Sequence, residues 1–416
     1  MANDRKENEE VLTRILHLDR LSGIEHGSIR KPVHNCVAYS YNDPEGISNV
    51  FQGLEKGYSY GRQNNPTVTS LELKITELEH GRESVCFSTG MAAISSTLFS
   101  LLKSGDHVIV SQYLFGNTNS LFNTLARFGI EVSFVDTANF SAVESEIREK
   151  TRILFVETIA NPLTQVPDLS RIGAMCAQHG ILYVVDNTMT TPLLFRPNAV
   201  GAGLSVNSLT KSICGHGNAL GGAVTDLGQF DWSKFPNIDK RYKYGDSKAW
   251  GITQIRKMGL RDMGGTLAPD SADKISIGLE TLPFRIQKVC SNAQQLSEFF
   301  ANHCAVKHVH YPGRSTHQQH RFAVEHFNAF GFLMSIDLKD MQRCFDVLRK
   351  LETVVLSSHL GDNRTLAIPV ANTIFHEMGS DRRRSMGISD GTIRISVGIE
   401  DINVLMDDFK RALSDN

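Results

Sequence analysis

ILYVVDN (181–187) is five apolar residues in a row, closed by an acid and an amide. A run without polar alternation is a strand covered on both faces, as in a parallel sheet. Working outward, RILFVET (152–158) and LSVNSLT (204–210) have the same texture. Between the first two runs, Leu169 to His179 has helical spacing and stops near Gly180. Further upstream, VSFVD (132–136), HVIVSQ (107–112) and SVCF (84–87) read as strands. They alternate with an amphipathic stretch through Phe122, Leu125 and Phe128, and with a helix from Met91 to Lys103. Another helix is expected from Thr67, with Leu71, Ile75 and Leu78 on one face and Gly81 at the cap. Strand and helix in alternation define an α/β fold with a mostly parallel sheet. The first fifty or so residues show weak periodicity and read as an arm or irregular cap. After about residue 260 the texture changes. Helical periodicity dominates from Ala272 to Phe300, and FGFLMSIDL (330–338) and TIRISVGI (392–399) are strand-like. The expected organisation is an arm (1–62), a large domain (63–262) and a smaller α+β domain (263–416).

Composition narrows the classes. The 416 residues are 41% hydrophobic, and 43 basic against 45 acidic residues leave a net charge of -2. No basic excess is present to neutralise a phosphate backbone, so no nucleic-acid partner is expected. No run approaches the roughly 18 apolar residues of a membrane span, so no membrane partner is expected either. The seven cysteines are scattered, with no C-x-x-C pair. They read as reduced thiols rather than a zinc site or disulfide frame, and with the polar N-terminus MANDRKENEE they predict a cytoplasmic protein.

In an open parallel sheet, ligands bind beyond the carboxyl ends of the strands. Asp186 ends the run ILYVV, where it is either a cap for the turn TMTTP or a buried carboxylate that needs a cationic partner. Lys211 follows the next strand in NSLTKSICGHGNALGG. It is either a surface lysine on a connection or part of a ligand loop, and Ser208, Thr210 and the glycines around it favour the loop. Ser88, Thr89 and Gly90 lie between strand and helix, a plain helix cap or an anion site. SYGRQNNPT (59–67) offers Tyr60 and Arg62, the latter suited to phosphate. Arg394, within TIRISVG, is either a solvated edge-strand residue or a carboxylate clamp, with the edge reading slightly ahead. A phosphate site, an aldehyde-reactive lysine, an acid for a pyridine nitrogen and a carboxylate clamp are together what pyridoxal 5'-phosphate (PLP) needs to act on an amino acid.

The motifs SYGRQNNPT, STGMAA, VETIANP, VVDNTMTTP, NSLTKSICGHGNALGG, RDMGGTLAP, HYPG and IRISVGIED carry a resemblance to the Cys/Met-metabolism family of PLP enzymes, from about His26 onward. That family includes cystathionine γ-synthase, cystathionine γ-lyase, methionine γ-lyase and O-acylhomoserine sulfhydrylase. The resemblance implies a fold-type I, aminotransferase-like subunit in a homotetramer of active dimers, with a small amino-acid substrate. It implies that Lys211 holds PLP and shuttles protons, and that Asp186 pairs with the pyridine nitrogen. Gly90, Met91, Ser208 and Thr210 would bind the phosphate, and Tyr60 and Arg62 would reach it from the neighbouring subunit. Asn161 would lie near the phenolic oxygen, and Arg394 would hold the substrate carboxylate.

Two departures bear on the substrate. The family usually has a tyrosine before the glycine of Y-G-x-T, stacked on the ring and able to donate a proton; LFGNTNS puts Phe115 there. Tyr113, two residues earlier, is expected to face away. Loss of a general acid costs about 10²–10⁴ in rate, so the leaving group should depart unaided or carry its own proton. In SSHLGDNRTL (357–366), His359 stands where the family often has Ser or Asn. It is either a bystander or a substrate-contacting, proton-handling group. These residues point to γ-replacement on an activated homoserine, as in a cystathionine γ-synthase. A γ-lyase acting on canavanine, cystathionine or methionine is the alternative, and a PLP-binding regulator without turnover is the reading from another class.

Overall fold

The computed structural model describes residues 2–21 and 23–414 of the chain. Two sheets organise it. The larger runs β1 (Glu83–Phe87), β2 (His107–Ser111), β3 (Glu131–Val135), β4 (Thr151–Glu157), β5 (Leu182–Asp186), β6 (Leu204–Asn207) and β7 (Gly222–Asp226), in the spatial order β1-β7-β6-β5-β4-β2-β3. Only β7 runs against its neighbours. The strand GAVTD that forms β7 follows directly on a glycine-rich stretch and has little apolar signal of its own. It escaped the periodicity reading for that reason, and it converts a parallel sheet into a mixed one.

The unbroken apolar runs serve two faces at once. Tyr183 and Val185 of β5, with Leu154 and Val156 of β4, belong to one core cluster. Leu182 and Val184, with Ile153 and Phe155, belong to the other. Successive side chains on a strand point to opposite faces, so each run is covered twice and has no room for polar residues. Burying one such side chain contributes roughly 1.5–3 kcal/mol. On the second face lies α4 (Gly90–Leu101), contributing Ala93, Ile94 and Leu98.

The N-terminal segment corrects one expectation. Instead of an irregular cap, α1 (Ala2–Leu21) is a continuous helix that sets Val11 and Ile15 in the core with Leu18 against them. The narrow stripe at i, i+4 and i+7 is diluted by charged residues on every other side, which hid its period. A second arm helix, α2 (Pro44–Gln52), is capped by Asp43. The next helix, α3 (Pro66–Glu79), ends on His80 in the left-handed region (φ 52°), not on Gly81. Gly81 is required for space instead, because a Cβ there would lie 2.3 Å from the Thr225 side chain. The amphipathic stretch expected after β2 is α5 (Gly116–Leu125).

The second sheet holds β8 (His308–His310), β9 (Leu333–Asp337), β10 (Val355–Leu356), β11 (Leu366–Pro369) and β12 (Thr392–Ser396), ordered β10-β11-β12-β9-β8. Helices Pro269–Glu280 and Leu282–Ala301, broken at Thr281 ahead of Pro283, connect the two sheets. Among the described residues, no helix is long and apolar enough to cross a membrane.

Candidate active site

The carboxyl ends of β4, β5 and β6 bring the expected residues together. Asp186 ends β5. Its Oδ1 accepts the Thr188 amide at 3.0 Å, and the Thr188 hydroxyl accepts the Ser208 amide at 2.8 Å. The loop after β6 is thus tied to the acid of β5. Burial raises the Asp186 pKa, while the Thr188 hydroxyl and amide oppose the rise.

Lys211 sits in that loop, with its amide on the Ser208 carbonyl at 3.1 Å. Burial first, and the neighbouring Arg394 charge second, lower its pKa to about 8. A solvated surface lysine would not show this, so the ligand-loop reading of the sequence is the better description of its surroundings. The Thr210 hydroxyl donates to the Gly221 carbonyl at 3.1 Å and accepts the Gly221 amide at 3.0 Å. This closes the glycine-rich segment back onto the lysine loop.

Close backbone approach explains the glycines. A Cβ on Gly90 would lie 2.9 Å from the Ser208 Cβ, and one on Gly222 would lie 2.3 Å from the Thr89 carbonyl oxygen. The N-terminus of α4, the lysine loop and the start of β7 therefore converge. Thr89 is the helix cap, its hydroxyl accepting the Ala92 amide at 2.9 Å, and the Ser88 amide goes to the Gly265 carbonyl. For these two residues the plain cap reading holds. The amides of Gly90 and Met91 lie in the first turn, where no carbonyl four residues back can receive them and an anion is favoured.

Arg394 departs from the edge-strand reading. Its strand β12 is the middle of the second sheet, paired with β11 on one side and β9 on the other, and Arg394 is 1% exposed. Nη2 donates to the carbonyls of Ser358 and His359 at 2.8 Å each. Nε and Nη1 are buried without a hydrogen-bond partner, and burial lowers the pKa to about 10. Leaving such donors unmade is costly, and a ligand carboxylate would satisfy them. Nε2 of His359 and Oδ1 of Asn161 are likewise buried without a hydrogen-bond partner. The His359 pKa is lowered by burial and then by the Lys211 charge, with Arg394 acting the same way and Asp362 opposing. His359 thus lies within range of the lysine's charge.

Phe115 caps α5 and donates its amide to Oε1 of Glu157 at 2.8 Å. Tyr113 does lie elsewhere. It lines a cleft of about 590 Å³ with Asp136, His310, Arg314 and His317, a lining that excludes Phe115. The reason is a turn at 112–113; in an extended strand, residues two apart would share a face. Within the chain, Tyr60 and Arg62 pack on one another and Arg62 is tied to the segment 261–266. The Arg62 guanidinium lies 5.5 Å over the Tyr60 ring and donates to the Arg261 carbonyl. Thr266 donates to the Arg62 carbonyl at 3.0 Å.

Sequence reasoning passed over Glu157 and Thr188. The signal for Glu157 was present, an acid closing an apolar strand as Asp186 does. The residues fit PLP: anion-accepting amides at Gly90 and Met91, a partly buried lysine of lowered pKa, an acid at a strand end, unsatisfied donors on Arg394 and an unsatisfied acceptor on Asn161.

With that geometry in hand, the chain belongs to the Cys/Met metabolism PLP-dependent enzyme family, whose model matches residues 12–414. It is an enzyme that uses PLP and acts on small amino acids. It is 35% identical over 405 residues to an L-methionine gamma-lyase of Fusobacterium nucleatum subsp. polymorphum, covering 96% of this chain and 97% of that protein. It is 33% identical over 425 residues to a homocysteine synthase of Schizosaccharomyces pombe, covering 98% and 99%. Among solved structures, a protein assigned as O-acetylhomoserine (thiol)-lyase from Campylobacter jejuni superposes with a TM-score of 0.91. That protein is 30% identical, the match covers 97% of this chain and 99% of that one, and it carries an N'-pyridoxyl-lysine-5'-monophosphate. The fold is PLP fold type I.

Proposed function

We propose that this enzyme catalyses γ-replacement on an O-acylated homoserine, exchanging the acyloxy group at Cγ for a thiol such as cysteine or sulfide. The observation that carries the reading is Phe115. It stands at the cap of α5, tied to the end of β4, where the family usually places a phenol. A phenylalanine can stack on a ring but cannot donate a proton to a departing group. A carboxylate has a pKa near 4 and leaves unprotonated, whereas an alkyl thiolate resembles Cys, near 8.5, and leaves poorly without an acid.

Bound PLP supplies the electron sink for carbanion chemistry. Lys211 would hold it, Asp186 would keep the pyridine nitrogen charged, and the amides of Gly90 and Met91 with the hydroxyls of Ser208 and Thr210 would receive the phosphate. Arg394 would clamp the substrate carboxylate with its two unsatisfied donors. The lowered pKa of Lys211 raises the share of free amine near neutral pH, and in that form the residue could take the Cα proton. The orphaned Nε2 of His359, within range of the lysine's charge, would contact the substrate or hold a proton during transfer at Cβ. Tyr60 is 43% exposed. That suits a pair, Tyr60 and Arg62, which reaches the phosphate of a neighbouring copy in a homotetramer of active dimers.

A second reading, γ-elimination to a 2-oxo acid and ammonia, is favoured by the similarity to a methionine gamma-lyase. Mass spectrometry of products from O-acetylhomoserine, O-succinylhomoserine, cystathionine, methionine and canavanine, each with and without cysteine, separates the two. A new amino acid formed only with cysteine is the expected result. Cysteine-independent 2-oxobutanoate, or homoserine from canavanine, would replace the first reading with a lyase.

A further inference from the structure

Glu157 has no part in the chemistry assigned above, yet three observations place it at the cofactor site. It ends β4 directly opposite Asp186 of β5 in a parallel pairing. In register, neighbouring residues of parallel strands project to the same side. The alternation agrees, since Ile153 and Phe155 share the second core face with Leu182 and Val184. Both carboxyl groups therefore emerge on the α4 side of the sheet. Glu157 is also only 8% exposed. Finally, its carboxyl receives the Phe115 amide at 2.8 Å and the backbone amide of Asn161, so it ties together the two segments expected to flank the cofactor ring.

We propose that Glu157 is a positioning residue of the PLP site, present as a neutral acid whose carbonyl oxygen anchors the Phe115 and Asn161 segments while Asp186 alone carries the charge. Two buried carboxylates side by side cannot both ionise cheaply, and the charge stays on the one that faces a cation. Each has two donors, the Thr188 hydroxyl and amide for Asp186 and the Phe115 and Asn161 amides for Glu157, so the pyridine nitrogen that Asp186 would face under the proposed function decides between them. Burial first, then the Asp186 charge, push the Glu157 pKa up to about 8, against the two amides that lower it. Gln keeps the shape, the neutrality and the acceptor. Asp is one methylene shorter and falls short of the two amides, and Ala leaves the Phe115 amide unpaired, which costs about 1–3 kcal/mol or roughly 5- to 150-fold in an equilibrium.

The test uses holoenzyme without any amino-acid substrate, so it stands apart from which group leaves Cγ. Three variants, Glu157→Gln, Glu157→Asp and Glu157→Ala, are compared by the first-order loss of PLP on dilution and by the visible circular dichroism of the bound cofactor. Glu157→Gln is expected within about 3-fold of the parent, with its dichroic band kept. Glu157→Ala and Glu157→Asp are expected to lose PLP at least 5-fold faster with a weakened band. If Glu157→Ala does not fold, the Gln–Asp contrast decides alone. Rapid loss from Glu157→Gln would mean the residue acts as a charge, and unchanged retention in both Ala and Asp variants would mean it positions nothing. Either result overturns the proposal, as does a fall in melting temperature with no change in retention or dichroism.

Discussion

Lys211 is partly buried within range of the Arg394 charge, and that makes its amine reactive well below the ordinary range. With a pKa of about 8 in place of 10.5, roughly one amine in eleven is neutral at pH 7, against about three in ten thousand for an unperturbed lysine. Condensation with an aldehyde needs the neutral amine. Capture of PLP by cofactor-free protein at pH 7 should thus run about 300-fold faster than for a solvated lysine. The rate should climb close to tenfold per pH unit below 8 and flatten above it. Rapid-mixing measurement of the lysine-bound cofactor's absorbance, from pH 6 to pH 10, reads this directly. Arg394→Met removes the charge that helps hold the lysine down, so its midpoint should move upward while staying below 10.5, because burial is the larger cause and remains. A rate still rising tenfold per unit at pH 9.5, or a midpoint indifferent to Arg394, would refute the assignment of cause.

Three further outcomes follow from the same geometry. Phe115→Tyr should restore a proton donor and raise kcat/KM for thiolate-releasing substrates such as cystathionine by about 10² or more, with little gain for O-acyl substrates; equal gains on both would remove Phe115 as the basis of leaving-group choice. Arg394→Lys keeps a charge but loses the fork, and giving up at least one charge-assisted hydrogen bond worth about 1.5–3 kcal/mol should lower kcat/KM by roughly 10- to 150-fold with the bound-cofactor spectrum intact. Gly222→Ala drives a Cβ to within 2.3 Å of the Thr89 carbonyl oxygen, which should destabilise the protein by about 1–3 kcal/mol in a denaturant titration and weaken cofactor binding through the displaced start of α4.

Asp186 and Lys211 were legible because each follows a buried apolar run, and a strand's end can be read from the strand itself. The helix Leu169–His179 was recovered to the residue, since its apolar period and the glycine after it are both local. For Arg394 the local pattern left edge and clamp both open with the edge slightly ahead, because strand order is a nonlocal fact: β12 becomes central only when β9 and β11, some 60 and 25 residues earlier in the chain, pair on either side of it. Glu157 was passed over for a similar reason. Nothing in VETIANP announces that the helix crossing to β5 returns the chain in the register that sets Asp186 beside it.

Taken by itself, the amino-acid sequence determined the alternation of strands and helices, the two-faced burial of the large sheet, and the chemical kinds of group available at its carboxyl edge. These are properties of short windows, governed by period, capping and the cost of burying polar atoms. The tertiary structure decided which of those groups share an environment. It shielded the lysine from solvent within range of the Arg394 charge so that its pKa falls, left two guanidinium nitrogens of Arg394 unsatisfied, put His359 within range of the lysine's charge, and paired Glu157 with Asp186. Each depends on electrostatics and desolvation between residues far apart in the chain, which no local pattern encodes.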